Sequence, residues 1–304
     1  MTEDIYNYTD YYEDQLCRKE EVVKVGSIVI PFFFTALVVL SCIGNIFVLV
    51  FIALCKKFRC LTKVFILNLA VSDLLFTIGL PFWASYYVWG WTFGDAGCKA
   101  VKFLFYLGFY SSVFFLTLMT VQRYMAVVHP LSDWERSRGL SLSPYIVWIL
   151  SLTVALLGSL QSEVMIESGS LYCEYGSIKW KTGIAYFQNA FFFIGFVIMG
   201  YCCGRMLRTI SKSRTKKKHK VRLIFFIVLV FFIGWAPYNI VMFLKSLTIH
   251  PFTDCEVSIR LDYAYYSCRM LAFSHCCINP VIFVFADAKF FKNFKEVLFC
   301  VKYE

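Results

Sequence analysis

Three ionisable side chains stand where their neighbours leave little room for water. Asp73 lies in NLAVSDLLFTIGLPFW, Arg269 in YYSCRMLAFSHCC, and Arg123 closes a long apolar run in TVQRYMAVVHP. A carboxylate or guanidinium in such company is costly unless it faces a polar interior, a partner or an ion, so each is a functional candidate. The chemistry is not hydrolytic: Asp73 has no second aspartate to share acid and base work, and no nucleophile motif accompanies it. The paired cysteines Cys202–Cys203 and Cys276–Cys277 are adjacent, so they point to different helix faces and make poor metal sites. Charge recognition and switching remain. For Asp73 a buried polar network that only fixes helix packing is the competing reading.

The elements that must position these residues follow from composition. The chain has 304 residues, 59% hydrophobic and 16% charged, too apolar for one water-soluble domain and ample for several membrane spans. Apolar runs at 25–55, 64–94, 103–122, 139–162, 182–204, 223–244 and 263–286 are each long enough to cross a core about 30 Å thick. Asp73 and Arg269 are the charges that interrupt two of them. The expected fold is therefore an all-α membrane protein, a seven-transmembrane helix bundle over 26–287. A polar segment, 1–25, precedes it and is no cleavable signal peptide. The stretch 288–304 reads as a short amphipathic eighth helix on the membrane surface, with Cys300 a candidate for lipidation. Pro31, Pro81, Pro237 and Pro280 lie inside spans, where each frees a backbone carbonyl that a neighbour must satisfy.

Positive charge sets the orientation. Connections 54–63, 123–142 and 205–222 with the tail carry 20 Lys and Arg, against seven on the other side, which places the N-terminus outside. The net charge of +10 is then a cytoplasmic excess, and the basic run RTKKKHKVR is a positive-inside loop rather than a nucleic-acid site. Cys17, Cys98, Cys173 and Cys255 face the oxidising side. Four cysteines there imply two disulfides with three pairings that spacing does not rank.

The motifs GNIFVL (44–49), NLAVSD (68–73), W-x-F-G (91–94), QRYMAVVHP (122–130), GWAPYN (234–239) and NPVIF (279–283) together resemble the rhodopsin-like G-protein-coupled receptors, over essentially the whole chain. Within them the chain is similar to the chemokine receptors, and to their lymphotactin (XC-type) branch, through the four outer cysteines, Pro81-x-Trp83, WTFG and LAFSHCCINP. The resemblance implies the pairings Cys98 with Cys173 and Cys17 with Cys255. It implies a basic chemokine as ligand, a heterotrimeric G protein of the inhibitory class inside, and arrestin as a further partner. It implies chemotaxis and calcium signalling at the plasma membrane, no enzymatic activity and no cofactor. The alternative from the same family is a scavenger that internalises chemokine without activating a G protein.

At the ligand end, Tyr6, Tyr8, Tyr11 and Tyr12 are interleaved with acids in EDIYNYTDYYEDQLC, a pattern that invites sulfation and suits a basic partner. Asn7-Tyr8-Thr9 is a glycosylation sequon. The family's pocket positions fall on Trp83, Phe105, Tyr106, Tyr110, Glu174 and Arg269. Many relatives carry a glutamate in place of Arg269, which implies a differently charged pocket, with the arginine paired to an acidic ligand group or to Asp262. At the inner end the family's switch positions are Arg123, Tyr124, Trp235, Asn279, Pro280 and Phe283. An acidic residue usually precedes that arginine. Gln122 accepts a hydrogen bond but carries no charge, so the tie on Arg123 should be weaker and basal signalling raised. Phe283 replaces a tyrosine, and the fifth span has no proline. Asp73 and Ser112 are the candidate ligands of a structural sodium ion, in a network with Asn45, Asn279 and Trp235, although His275 and Cys276 differ from many sodium-binding relatives. No Ser or Thr follows Ser274 in this sequence, so either the sequence is truncated or arrestin-linked desensitisation relies on Ser211, Ser213 and Thr215.

Overall fold

A computed structural model describes residues 20–54, 61–130, 138–167, 170–211, 218–247 and 255–286. Eight helices and one hairpin are found among them: α1 (Glu20–Leu54), α2 (Leu61–Trp89), α3 (Gly94–Val128), α4 (Arg138–Leu160), β1 (Ser162–Glu167), β2 (Ser170–Tyr175), α5 (Ile178–Ser211), α6 (Lys218–Leu247), α7 (Cys255–Phe273) and α8 (His275–Ala286). Helices α1 to α6 are each long and apolar enough to cross a membrane. Helices α7 and α8 are two halves of a seventh member interrupted at Ser274, so the expected seven-helix bundle is present with one span broken. Several helices extend beyond the apolar runs that announce them: α3 begins at Gly94 and α5 continues to Ser211. The proposed eighth amphipathic helix, Tyr6, Asn7, Tyr8, Tyr11, Tyr12 and Cys17 lie outside the described residues.

Beyond that interruption, Pro280 lies inside α8. Pro280 has no N–H, so the Cys276 carbonyl loses its helical donor. Asn45 of α1 supplies it, donating Nδ2–H to that oxygen at 2.8 Å, with the Ser41 hydroxyl adding a longer bond at 3.3 Å. Gly44 lets α1 come close enough, because a Cβ there would stand 2.8 Å from Pro280 Cγ. The Gly44-Asn45 and Asn279-Pro280 motifs are thus two sides of one contact. Gly108 does the same for α3 against α2, where a Cβ would stand 2.6 Å from Phe76 Cβ. The indole of Trp148 ties α4 to α2 by donating to Asn68 Oδ1 at 2.8 Å.

One end of the bundle carries the hairpin, with Ser162 opposite Tyr175 and Glu167 opposite Ser170 in antiparallel register. A Cys98–Cys173 disulfide fastens β2 to the start of α3. The W-x-F-G turn is clamped beneath it: Trp91 is fully buried, donates Nε1–H to Gly94 O at 2.8 Å and its backbone N–H to Leu171 O at 2.9 Å. Gly90 and Gly94 adopt φ of 73° and 66°, the left-handed region that this tight passage needs and that glycine enters without strain. The hairpin is thereby held over the bundle's mouth.

Candidate ligand cavity and inner switch

Beneath the hairpin lies a cavity of about 970 Å³. Helical periodicity explains its lining. Trp83 and Tyr87 are four apart on α2, Lys102, Phe105 and Tyr106 share a face of α3, and Asp262, Tyr265 and Arg269 recur at three and four residues on α7. Glu174 and Tyr175 descend from β2, with Lys181 from α5 and Tyr238 and Lys245 from α6. Of the pocket positions named from sequence, Trp83, Phe105, Tyr106, Glu174 and Arg269 line this space. Tyr110 does not. One turn deeper on α3, it is buried between Tyr106 and Phe191, at ring-centroid distances of 6.0 and 4.9 Å, and supports the lining from behind.

Two cations dominate the cavity's electrostatics. Arg269 is 6% exposed, donates Nη1–H to the Tyr87 hydroxyl at 2.8 Å, and is boxed by Trp83 and Phe273, whose ring centroids lie 4.7 and 5.0 Å from Cζ. Its Nε–H has no acceptor among the described residues. Lys102, also 6% exposed, holds Nζ 3.8 Å above the Tyr175 ring. Such cation–π contacts contribute about 2 kcal/mol when desolvated. Burial pushes the Tyr175 phenol above its ordinary value, so it remains protonated and hydrogen-bonds the Tyr106 hydroxyl. The sequence-based alternative of an Arg269–Asp262 pair is not formed: Asp262 Oδ1 accepts from Lys245 Nζ at 2.5 Å. Glu174 is likewise engaged, by Lys181 at 3.2 Å. Lys102 was given no role from sequence, because it sits just before the apolar run that begins at 103 and nothing in the local pattern aims it into a cavity. Tyr87 was legible as the residue one turn from Trp83. The hairpin's Tyr175 carried no signal.

Below the cavity, Trp235 is buried among Phe109, His275 and Tyr238, at centroid distances of 4.5, 5.2 and 5.7 Å. Asp73 is fully buried in the next layer. Its Oδ2 accepts from Asn279 Nδ2 at 2.9 Å and its Oδ1 from the Ser112 hydroxyl at 3.3 Å, with His275 Nε2 3.7 Å away. Asn45 and Trp235, grouped with Asp73 from sequence, are used elsewhere: Asn45 on the broken helix, Trp235 in the aromatic layer. Phe283 is buried on α8.

At the end opposite the hairpin, Arg123 donates Nη2–H to the Thr62 hydroxyl of α2 at 2.6 Å. That hydroxyl donates in turn to Gln122 Oε1 at 3.3 Å. Gln122 therefore reaches its neighbour through Thr62, a relay with no ionic component, and Thr62 is a residue that sequence reasoning passed over because nothing distinguishes it from any helix-end threonine. Tyr124 faces His129, with its hydroxyl 3.2 Å from Nε2.

A cavity at one end of the bundle, a buried aromatic and carboxylate layer in the middle and a tethered arginine at the other end share one connected core, through which the two ends can be coupled. The family model for "7 transmembrane receptor (rhodopsin family)" matches residues 44–283. The chain is 41% identical to human Chemokine XC receptor 1 over 263 residues, 85% of this chain and 78% of that protein. It is 37% identical to the mouse Chemokine XC receptor 1 over 296 residues (95% and 89%), and 35% identical to human C-C chemokine receptor type 8 over 303 residues (95% and 85%). The chain belongs to the chemokine receptors of the rhodopsin family.

Proposed function

We propose that this chemokine receptor is of the XC type, sits in the plasma membrane with its N-terminus and hairpin outside, and takes a lymphotactin-like chemokine. The ligand's body meets the tyrosine-rich segment with Tyr6, Tyr8, Tyr11 and Tyr12, sulfated on those residues and glycosylated at Asn7, and its leading segment enters the cavity lined by Trp83, Phe105, Tyr106, Glu174 and Arg269. Movement of the aromatic layer around Trp235 is passed through Asn279, Pro280 and Phe283 to Arg123 and Tyr124, which an inhibitory-class G protein engages to drive calcium release and chemotaxis. Arrestin recruitment would use Ser211, Ser213 and Thr215. The observation that carries this reading is the pairing of an open, cation-lined cavity at one end with a releasable arginine at the other, joined by one continuous core.

We propose a sodium ion for the middle layer, with the Asp73 carboxylate and the Ser112 hydroxyl as its oxygen donors. Such an ion would favour the arrangement in which these helices are held together. The test of function is G-protein activation in cells against a chemokine panel, with Arg123→Ala matched for surface level. An agonist response lost in that variant supports signalling by an XC-type ligand. Uptake of ligand with no response in either form would make the protein a scavenger.

A further inference from the structure

The cavity's charges are unevenly spent. Both of its carboxylates are taken, Glu174 by Lys181 and Asp262 by Lys245, while Lys102 and Arg269 have no carboxylate within ion-pair distance among the described residues. Both are nine-tenths buried. Aromatic faces ease that burial but do not saturate it: the Arg269 Nε–H is without an acceptor, and the Lys102 ammonium rests on one ring. An uncompensated buried cation is costly, and a cavity that keeps two of them open is built for an anion. The guanidinium fork supplies paired donors for a carboxylate, and the ammonium adds a second point charge.

We infer that the cavity is an acid-accepting subsite, in which a carboxylate on an aspartate or glutamate of the ligand's inserted segment bridges Lys102 and Arg269, with an apolar neighbour against Trp83 and Phe105. This rests on the proposal that the cavity receives the ligand's leading segment. Specificity then comes from charge of the opposite sign to the one a basic chemokine body presents to the receptor's acidic outer segment: basic body outside, acidic anchor within. A ligand whose inserted segment carries only amines would be rejected by the same two cations.

Two measurements test it independently. In the first, the full receptor purified in detergent is heated with millimolar indole-3-propionate, with the corresponding primary amide, and with tryptamine. The acid should raise the unfolding midpoint by about 2 °C or more once it exceeds its Kd tenfold, and the amide and amine should not. Lys102→Gln and Arg269→Gln should each remove the shift, each variant's own midpoint reporting that it folds. Equal shifts from acid and amide would overturn the inference, and that comparison needs no variant. In the second, each acidic residue preceding the first cysteine of an agonist found in the chemokine panel is changed to its amide. One such change should cost about 10- to 100-fold in potency. Arg269→Glu should recover response to the same residue changed to lysine. If no acid-to-amide change moves potency, the inference fails while the receptor assignment stands. If no chemokine in the panel binds, the functional proposal fails, and the heating experiment still decides whether the cavity takes a carboxylate.

Discussion

Replacing Thr62 by valine should raise signalling in the absence of ligand. The substitution keeps the side chain's shape and removes one oxygen, which accepts from Arg123 at 2.6 Å and donates to Gln122 at 3.3 Å. A hydrogen bond to a charged group contributes about 1.5–3 kcal/mol, and Arg123 recovers part of it from water at the membrane edge. A net loss of about 1.4 kcal/mol shifts the equilibrium about tenfold, so an active population of about 1% would become about 10%. With Nη2–H spent on the Thr62 hydroxyl the guanidinium is held against α2, and an inner partner that needs that donor must first displace the hydroxyl. Nucleotide exchange on an inhibitory-class G protein, measured on membranes at matched surface level, reads that change directly. Gln122→Asp should move the same signal downward by restoring an ionic partner beside Arg123. Basal exchange unchanged in Thr62→Val, with agonist response intact, would refute the idea that the relay restrains the receptor.

Three other outcomes follow from the packing. Gly108→Ala drives a methyl to 2.6 Å from Phe76 Cβ, which should cost about 1–3 kcal/mol and lower the unfolding midpoint of the purified receptor. Asn45→Ala leaves the Cys276 carbonyl with only the 3.3 Å bond from Ser41, a loss of about 1–3 kcal/mol, seen as reduced thermal stability that Asn45→Ser should partly restore. If sodium binds at Asp73 and Ser112, raising sodium at constant ionic strength should lower agonist affinity in the native receptor and leave Asp73→Asn insensitive; equal sensitivity in both would remove the ion from the account.

Much of this molecule was written in its sequence, because a membrane interior penalises every unsatisfied polar group and so makes spans visible as apolar runs and functional charges visible as interruptions. Asp73, Arg123 and Arg269 were found that way. The motifs that mark the family were recognised by resemblance, and the side each loop faces is an expectation from the Lys and Arg asymmetry. Positions whose meaning depends on a partner far along the chain were not legible. Gly44 and Asn45 are understood only beside Pro280, and the span that reads as one run from 263 to 286 is two helices divided at Ser274. The partner of Arg269 was decided in three dimensions: Lys245, 17 residues before Asp262, claims that carboxylate, and the arginine donates to the Tyr87 hydroxyl instead. Thr62 and Gln122 are 60 residues apart, and only the contact of α2 with α3 makes them one device. Sequence by itself determined the number of membrane-crossing members and the sites where charge must have a purpose, since those follow from local transfer energies, and its motifs carried the resemblance that marks the class. Tertiary structure alone decided which charges are neutralised and which remain open, since that depends on distances between helices that no local pattern encodes.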